Sequence, residues 1–207
     1  MHSLEESRLP LRMPMCFKGD RDYVHGPDLY LAALSAARWR LGAGAWIDRI
    51  AFSTMVRTDC EVVERLVEGC AASVSVRSGS EAHRWSIVAT RNPIELRHDY
   101  DEDGMVSAAQ ITGDRIELGT RSRATAAEEI VALAKRLHQH LRPRLGFRWI
   151  VVGFRFDEPL ESRAPGPFTV ELVRSLGDTL TVSRILVQGR SIGEVTFARF
   201  AKSKDLA

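Results

Sequence analysis

The 207-residue chain is 44% hydrophobic and has a formal net charge of +2, from 29 Lys and Arg against 27 Asp and Glu. This near balance argues against general nucleic-acid binding, which needs a clustered basic face. The length predicts one large domain or two small ones. The three cysteines are odd in number and lack metal-ligand spacing, so they predict neither a disulfide framework nor a zinc site.

The N-terminal segment, residues 1–14, is polar and lacks the apolar core of a secretory signal. The sequence contains no uninterrupted run of about 18 apolar residues, so it predicts no membrane-spanning helix. We therefore expect a cytoplasmic protein with reduced thiols that has no membrane partner. No motif calls for a cofactor or a metal.

The first half is predicted to contain one buried helix. His25-Gly26-Pro27-Asp28 precedes an apolar run that continues to Leu41, so Asp28 is the expected N-cap. The run is apolar nearly all round, which is typical of a buried helix. Strand-like patterns follow, and residues 61–68 suit either a helix or a strand. The strand-like stretches are residues 47–56, 71–76 and 85–90.

The second half repeats this order. Residues 99–104 are acidic and turn-prone, and we interpret them as a solvated loop between a first half of residues 1–103 and a second of residues 104–207. A β-like stretch over residues 105–118 precedes a helix predicted at residues 125–141.

Four strands are predicted after the second helix. In the first of them, alternation places Ile150, Val152, Phe154 and Phe156 on one side. The predicted strands are residues 149–156, 168–174, 180–187 and 191–200.

Two short motifs recur between the halves. Gly19-Asp20-Arg21 and Gly113-Asp114-Arg115 are offset by 94 residues, and Val76-Arg77-Ser78 and Val173-Arg174-Ser175 by 97. Both lie in the same order of elements, which predicts an internal duplication. Ungapped extension of the first motif places Ile116 opposite Asp22 and Gly119 opposite His25. Asp22 and His25 are then the polar residues peculiar to the first half.

A long helix followed by antiparallel strands, written twice, resembles the double-hotdog arrangement of the hotdog-fold superfamily. The resemblance implies an α+β fold of two tandem hotdog units, each a central helix wrapped by a curled antiparallel sheet. It also implies action on acyl thioesters of coenzyme A or acyl carrier protein, in a groove between the two units. A fused pair supplies the interface that single hotdogs obtain by dimerising, so we expect a monomer or a homodimer.

Residues 20–31 are similar to the Asp-x-Asp-x-x-Gly-His run of 4-hydroxybenzoyl-CoA-type thioesterases, although His25 and Gly26 stand in reversed order and the usual Asn residues are missing. That resemblance implies that Asp20 or Asp22 acts as base or nucleophile in thioester hydrolysis. Dehydratases of fatty-acid synthesis instead place a His before the helix. His25 suits that role, with Glu128 or Glu129 as the acid.

Elementary chemistry supports a site at this helix start. N–H groups at a helix N-terminus polarise a nearby carbonyl, and Gly26 permits close approach. His25 can move a proton near neutral pH. Asp28 and Tyr30 are further candidates for substrate binding.

A basic cluster of Arg142, Arg144 and Arg148 has two interpretations. It is a solvated face, which is the commoner case, or it meets carrier phosphates, with Arg148 the substrate-binding candidate. Asp20 and Arg21 have a structural alternative, since their motif recurs in the second half and can serve simply as a turn.

Hydrolysis of acyl thioesters is the first functional hypothesis, and hydration or dehydration of 3-hydroxyacyl or enoyl thioesters is the second. A third is a non-catalytic double hotdog that binds an acyl chain or a partner protein. The last is a different α+β binding module.

Overall fold

The computed structural model describes residues 10–143, 147–160 and 166–201. The chain forms two compact units, of which the first comprises Met1–Ile47 and Phe52–His98 and the second Asp48–Ala51 and Asp99–Ala207. Within the described residues, every helix is too short or too polar to cross a membrane.

The first unit holds one helix and two small groups of strands. Its larger sheet has the strand order β1-β4-β6-β5, and β2 and β7 form a separate parallel pair. The helix α1 packs against β4 and β5. Residues 48–51 of β3 belong to the second unit. The elements along this part of the chain are β1 (Leu11–Met13), β2 (Phe17–Lys18), α1 (Gly26–Leu41), β3 (Trp46–Phe52), β4 (Thr58–Val63), β5 (Ala72–Ser78), β6 (Glu81–Pro93) and β7 (Arg97–His98).

The predicted burial of α1 is confirmed. Of its 16 residues, only Ser35, Arg38 and Trp39 are exposed. The helix ends where expected, because Gly42 takes a φ of 95° and donates its N–H to the carbonyl of Arg38 at 3.0 Å.

The predicted N-cap was wrong. The helix begins at Gly26, so His25 is the N-cap and Asp28 lies in the first turn. Pro27 allows this early start because its missing N–H has no intrahelical acceptor in the first turn anyway, and its φ suits a helix.

The second unit is built on one six-stranded arrangement. Its strand order is β10-β13-β12-β11-β9-β8, and residues 49–51 of β3 pair with residues 153–155 of β10. The helix α3 packs against β9, β10, β11 and β13. The elements are α2 (Glu102–Met105), β8 (Gln110–Thr112), β9 (Arg115–Glu117), α3 (Ala126–Leu141), β10 (Phe147–Phe156), β11 (Phe168–Leu176), β12 (Leu180–Val187) and β13 (Arg190–Ala201).

Two sequence-based expectations for this unit change. Residues 105–118 are not a continuous strand, because α2 ends at Met105 and a tight turn at Gly113-Asp114 divides the rest into a hairpin. In β10, the inward side changes from Trp149 and Val151 to Phe154 and Phe156. The cause is a β-bulge at Val152, an extra residue that shifts the pairing with β13 and reverses the alternation.

The two long helices, α1 and α3, give a clearer alignment of the two units than the short sequence motifs do. They begin 100 residues apart, at Gly26 and Ala126, and both are 16 residues long. The residue that corresponds to His25 is therefore Thr125, the N-cap of α3, and the expected match with Gly119 was wrong. The glycines of both Gly-Asp-Arg motifs do share a turn conformation with positive φ.

Strand pairing differs between the units. In the second, β11 pairs with β12, its successor along the chain. In the first, β4 pairs with β6 rather than with β5. The order of elements recurs in the two units, whereas the path of the chain through the sheet does not.

A buried histidine lies in the core of the second unit. His138 is 0% exposed, and its Nε2 is 2.7 Å from the hydroxyl of Thr181. Its ring stacks on Trp149, with centroids 4.7 Å apart, and lies near Phe197. Burial lowers the pKa of His138 to about 4, and the charge of Arg142 acts in the same direction against a backbone hydrogen bond to Ala134. The ring is therefore neutral in the folded protein at neutral pH.

This burial makes stability depend on pH. In the unfolded chain His138 takes up a proton below its ordinary pKa of 6.5, whereas in the folded chain it does so only near pH 4. The free energy of unfolding is therefore expected to fall by roughly 2–3 kcal/mol between about pH 7 and about pH 4.5 on account of this residue. The fall is measured by urea denaturation of the wild type against His138→Gln, which should lack this component. His140→Gln, at an exposed position on the same helix, should keep it.

Candidate active site

Several backbone hydrogen bonds hold the segment that leads into α1. Phe17 and Gly19 each donate a backbone hydrogen bond of 2.9 Å, to the carbonyls of Leu96 and His98 respectively. Further along, the N–H of Val24 donates to the carbonyl of Val56 at 2.8 Å. These bonds determine how the chain reaches the helix start.

His25 lies at the end of this segment and is only 4% exposed. Its backbone is extended, with φ −67° and ψ 135°, and its carbonyl accepts from the N–H groups of Asp28 and Leu29. Its imidazole makes no capping bond to the helix. The side chain is thus left to other interactions at the buried N-terminus of α1.

Gly26 supplies a main-chain N–H donor beside His25. The residue is buried, and within the described part of the chain its N–H has no acceptor. The first N–H groups of a helix have no intrahelical acceptor, and they carry partial positive charge. Such a donor can polarise a carbonyl oxygen and stabilise an oxyanion.

A half-buried ion pair flanks the first turn. The Nζ of Lys18 is 2.6 Å from Oδ1 of Asp28, and both side chains are 16% exposed. Burial, together with the charge of Asp28, raises the pKa of the nearby Cys16 thiol against the opposing charge of Lys18. Cys16 therefore stays protonated and is a poor nucleophile at neutral pH.

The two predicted catalytic carboxylates face solvent. Asp22 pairs with Arg57 at 3.1 Å, and the side chains are 65% and 58% exposed. Asp20 is exposed in the turn that follows Gly19. Oδ2 of Asp22 accepts from Nε of Arg57 at 3.3 Å and from Nη2 at 3.1 Å.

Tyr30 lies inside the unit rather than at a surface. It is 1% exposed, and burial raises the pKa of its phenol. The phenol is therefore neutral, and the ring packs as part of the helix core.

The second helix start has a different polar arrangement. Thr125 and Glu128 form a capping box, which employs the Glu128 carboxylate. Glu129 is 0% exposed, forms an ion pair with Arg121 and accepts a hydrogen bond from the N–H of Ser122. The Arg121 guanidinium also lies over the ring of Phe168, 4.7 Å from its centroid. Both candidate acids of the dehydratase hypothesis thus hold structural bonds.

The predicted basic cluster is only partly described. Arg142 is bound to the β11–β12 turn, where it donates to Oγ of Ser175 at 2.8 Å and to the carbonyl of Gly177 at 3.3 Å. Arg148 is exposed on β10, and Arg144 lies outside the described residues. Of the two members that the structure describes, Arg148 is the one presented to solvent.

A concavity of about 410 Å³ lies on the β8–β9 hairpin, and none of the predicted site residues lines it. Among the residues that the structure describes, no three His, Cys, Asp or Glu side chains group closely enough to hold a metal ion. The lining residues of the concavity are Ala108, Gln110, Thr112, Arg115, Glu117 and Gly119.

No protein-family model and no curated protein matches this sequence. Solved structures do resemble it. The dehydratase domain of PpsC from Mycobacterium tuberculosis, in complex with C12:1-CoA, is 15% identical, with a TM-score of 0.50 over 86% of this chain and 85% of that one. A putative thioesterase from Novosphingobium aromaticivorans is 10% identical, with a TM-score of 0.49 over 96% of each chain.

At these identities the comparison bears on the fold. The PpsC domain is a hotdog-fold protein, so the hotdog fold predicted from the sequence is confirmed. The division of this chain into two tandem hotdog units stays a prediction.

The helix start offers a test of which ion pairs matter for stability. Asp28→Asn should lower the free energy of unfolding by about 2 kcal/mol, because it leaves Lys18 half-buried without its partner and removes a negative charge from the first turn. Asp22→Asn, in an exposed pair, should cost under about 0.5 kcal/mol. Urea denaturation of both variants measures the difference. Equal effects would contradict the importance of the Lys18–Asp28 pair.

Proposed function

We propose that this chain hydrolyses acyl thioesters at the N-terminus of α1. One observation supports the proposal above others. The N–H of Gly26, a buried residue, has no acceptor among the described residues and directly follows the buried His25. A proton-transfer group and an oxyanion donor are the two elements that thioester hydrolysis requires of a protein.

The chemistry needs no other group. His25 accepts a proton from water while the water oxygen bonds to the thioester carbon, and the carbonyl oxygen, now negative, accepts from the Gly26 N–H. The carbon–sulfur bond then breaks, and the sulfur leaves with the proton from His25. The products are a carboxylic acid, which ionises, and a free thiol.

Asp22 and Asp20 take second place as catalytic groups in this proposal. The carboxylate of Asp22 is held by Arg57 and is mostly exposed, so the ion pair has to open before it can act as base or nucleophile. Asp28 and Tyr30 shape the first turns of the helix, and Arg148 is proposed to contact the phosphates of the carrier.

The substrate class follows from the fold together with the site. We propose that the acyl group is carried on coenzyme A or on acyl carrier protein. The PpsC domain that shares the fold contains C12:1-CoA in its structure, which supports an acyl-CoA ligand here.

Hydration or dehydration is the second candidate. The burial of His25 favours it, because a base that removes a carbon-bound proton works best away from water. The exposure of Asp22 also favours it, because an exposed, paired carboxylate is poorly placed to act as the base or nucleophile of a hydrolase. That reaction also needs an acid to protonate the departing hydroxyl. Glu129 can serve as this acid only if its ion pair with Arg121 and its hydrogen bond from Ser122 break.

The test uses a panel of acyl-CoA thioesters, with free thiol followed for hydrolysis and enoyl absorbance for dehydration. His25→Ala is expected to lower kcat at least about 100-fold, because it removes the proton-transfer group. Asp22→Asn is expected to lower kcat less than about tenfold, because Asp22 is not the primary base in this mechanism. The control is His98→Ala, at an exposed position on β7.

Several outcomes would overturn the proposal. If no thiol or enoyl product appears over the whole panel with the wild type, the chain is not an enzyme of this class. If activity is present and survives His25→Ala, catalysis lies elsewhere. Enoyl product without free thiol would replace hydrolysis by the second candidate.

A further inference from the structure

Arg97 is held rigidly beside the segment that leads to His25. Its Nη1 donates to the carbonyl of Arg21 at 2.9 Å and also to the carbonyl of Gly19. Its guanidinium lies over the ring of Phe17, 5.1 Å from the centroid. The side chain is exposed, yet its position is determined on one face by the ring and on one edge by two carbonyls.

The positive charge of Arg97 is not neutralised by these contacts. Both acceptors are neutral carbonyls, and no carboxylate among residues 10–143, 147–160 and 166–201 forms an ion pair with it. Two other cations near this segment differ, since Lys18 pairs with Asp28 and Arg57 with Asp22. In Arg97, the N–H donors of Nε and Nη2 remain available to an anion.

The cation also lies within reach of the proposed reaction centre. Arg21, whose carbonyl it binds, is four residues before His25. Four residues span at most about 14 Å when fully extended. That is a suitable distance for a substrate whose reactive thioester and whose phosphate are separated by a pantetheine arm.

We propose that Arg97 binds the phosphate of the group that carries the acyl chain. The inference rests on the proposed function, which names the thioester carrier, and adds the residue that recognises it. Coenzyme A and the phosphopantetheine of a carrier protein share a phosphate at the end of the pantetheine arm. A planar guanidinium offers two parallel donors to phosphate oxygens, and a pre-positioned one loses little side-chain entropy on binding.

The experiment measures binding, so that it does not depend on turnover. Coenzyme A, 4′-phosphopantetheine and pantetheine are titrated into the wild type by calorimetry, and again into Arg97→Gln and Arg97→Lys. The control is Arg91→Gln, an exposed position on β6 that has no hydrogen bond or ion pair in the described chain.

Arg97→Gln is expected to weaken coenzyme A and 4′-phosphopantetheine about tenfold, which is the usual effect of losing one charge-assisted contact. Pantetheine, which has no phosphate, should bind the variant and the wild type equally. Arg97→Lys should restore part of the affinity, because it keeps the charge but not the paired donors. The control variant should bind like the wild type.

The outcomes separate this inference from the proposed function. Equal binding of coenzyme A to the wild type and Arg97→Gln, or no binding to the wild type, overturns the inference. An equal loss for pantetheine overturns it too, because Arg97 would then act only by holding the loop. If Arg97→Gln weakens the binding of coenzyme A but not of 4′-phosphopantetheine, Arg97 contacts the nucleotide phosphates. That result overturns the inference that Arg97 binds the phosphate that the two ligands share. Arg97-dependent binding without turnover of any thioester would leave the phosphate site standing and refute the hydrolase.

Discussion

The burial of α1 is the constraint on which the first unit depends. A helix with only Ser35, Arg38 and Trp39 exposed gains its stability from the apolar surface that it hides against neighbouring strands. Burying the helix also buries its N-terminus, where the first N–H groups have no intrahelical acceptors. Pro27 has no N–H, so the donor left at this buried end is that of Gly26. The burial of α1 thus leaves the Gly26 N–H as a positively polarised donor that can bind a carbonyl oxygen.

The charged residues around this helix start divide into two groups with different physical effects. Lys18 and Asp28 are half-buried and paired, so they stabilise the turn and contribute little net charge. Asp22 and Arg57 form an exposed pair, which water screens and which can open easily. Arg97 is bonded to neutral carbonyls instead, which keeps its position without cancelling its charge. The three arrangements lie within one short segment and its immediate contacts.

The second unit shows what the same order of elements becomes with other residues. Thr125 and Glu128 form a capping box where the first unit has His25 and Asp28, so the α3 N-terminus is satisfied internally. Glu129 is fully buried but bonded to Arg121 and Ser122. Its titratable core residue, His138, is neutral and held by Thr181. These groups serve stability, which is why we assign the proposed chemistry to the first unit.

The sequence by itself determined the two long helices and the four strands that follow α3, because hydrophobic periodicity reflects burial directly. It predicted α3 to within one residue. Tertiary structure decided the rest. The bulge at Val152 follows from pairing with β13, and the pairing of β4 with β6 joins strands that are not consecutive. Arg97 lies 76 residues from Arg21 along the chain, and only the parallel pairing of β2 with β7 brings the two together. No local pattern encodes such a contact, since its energy arises between segments that the sequence keeps far apart.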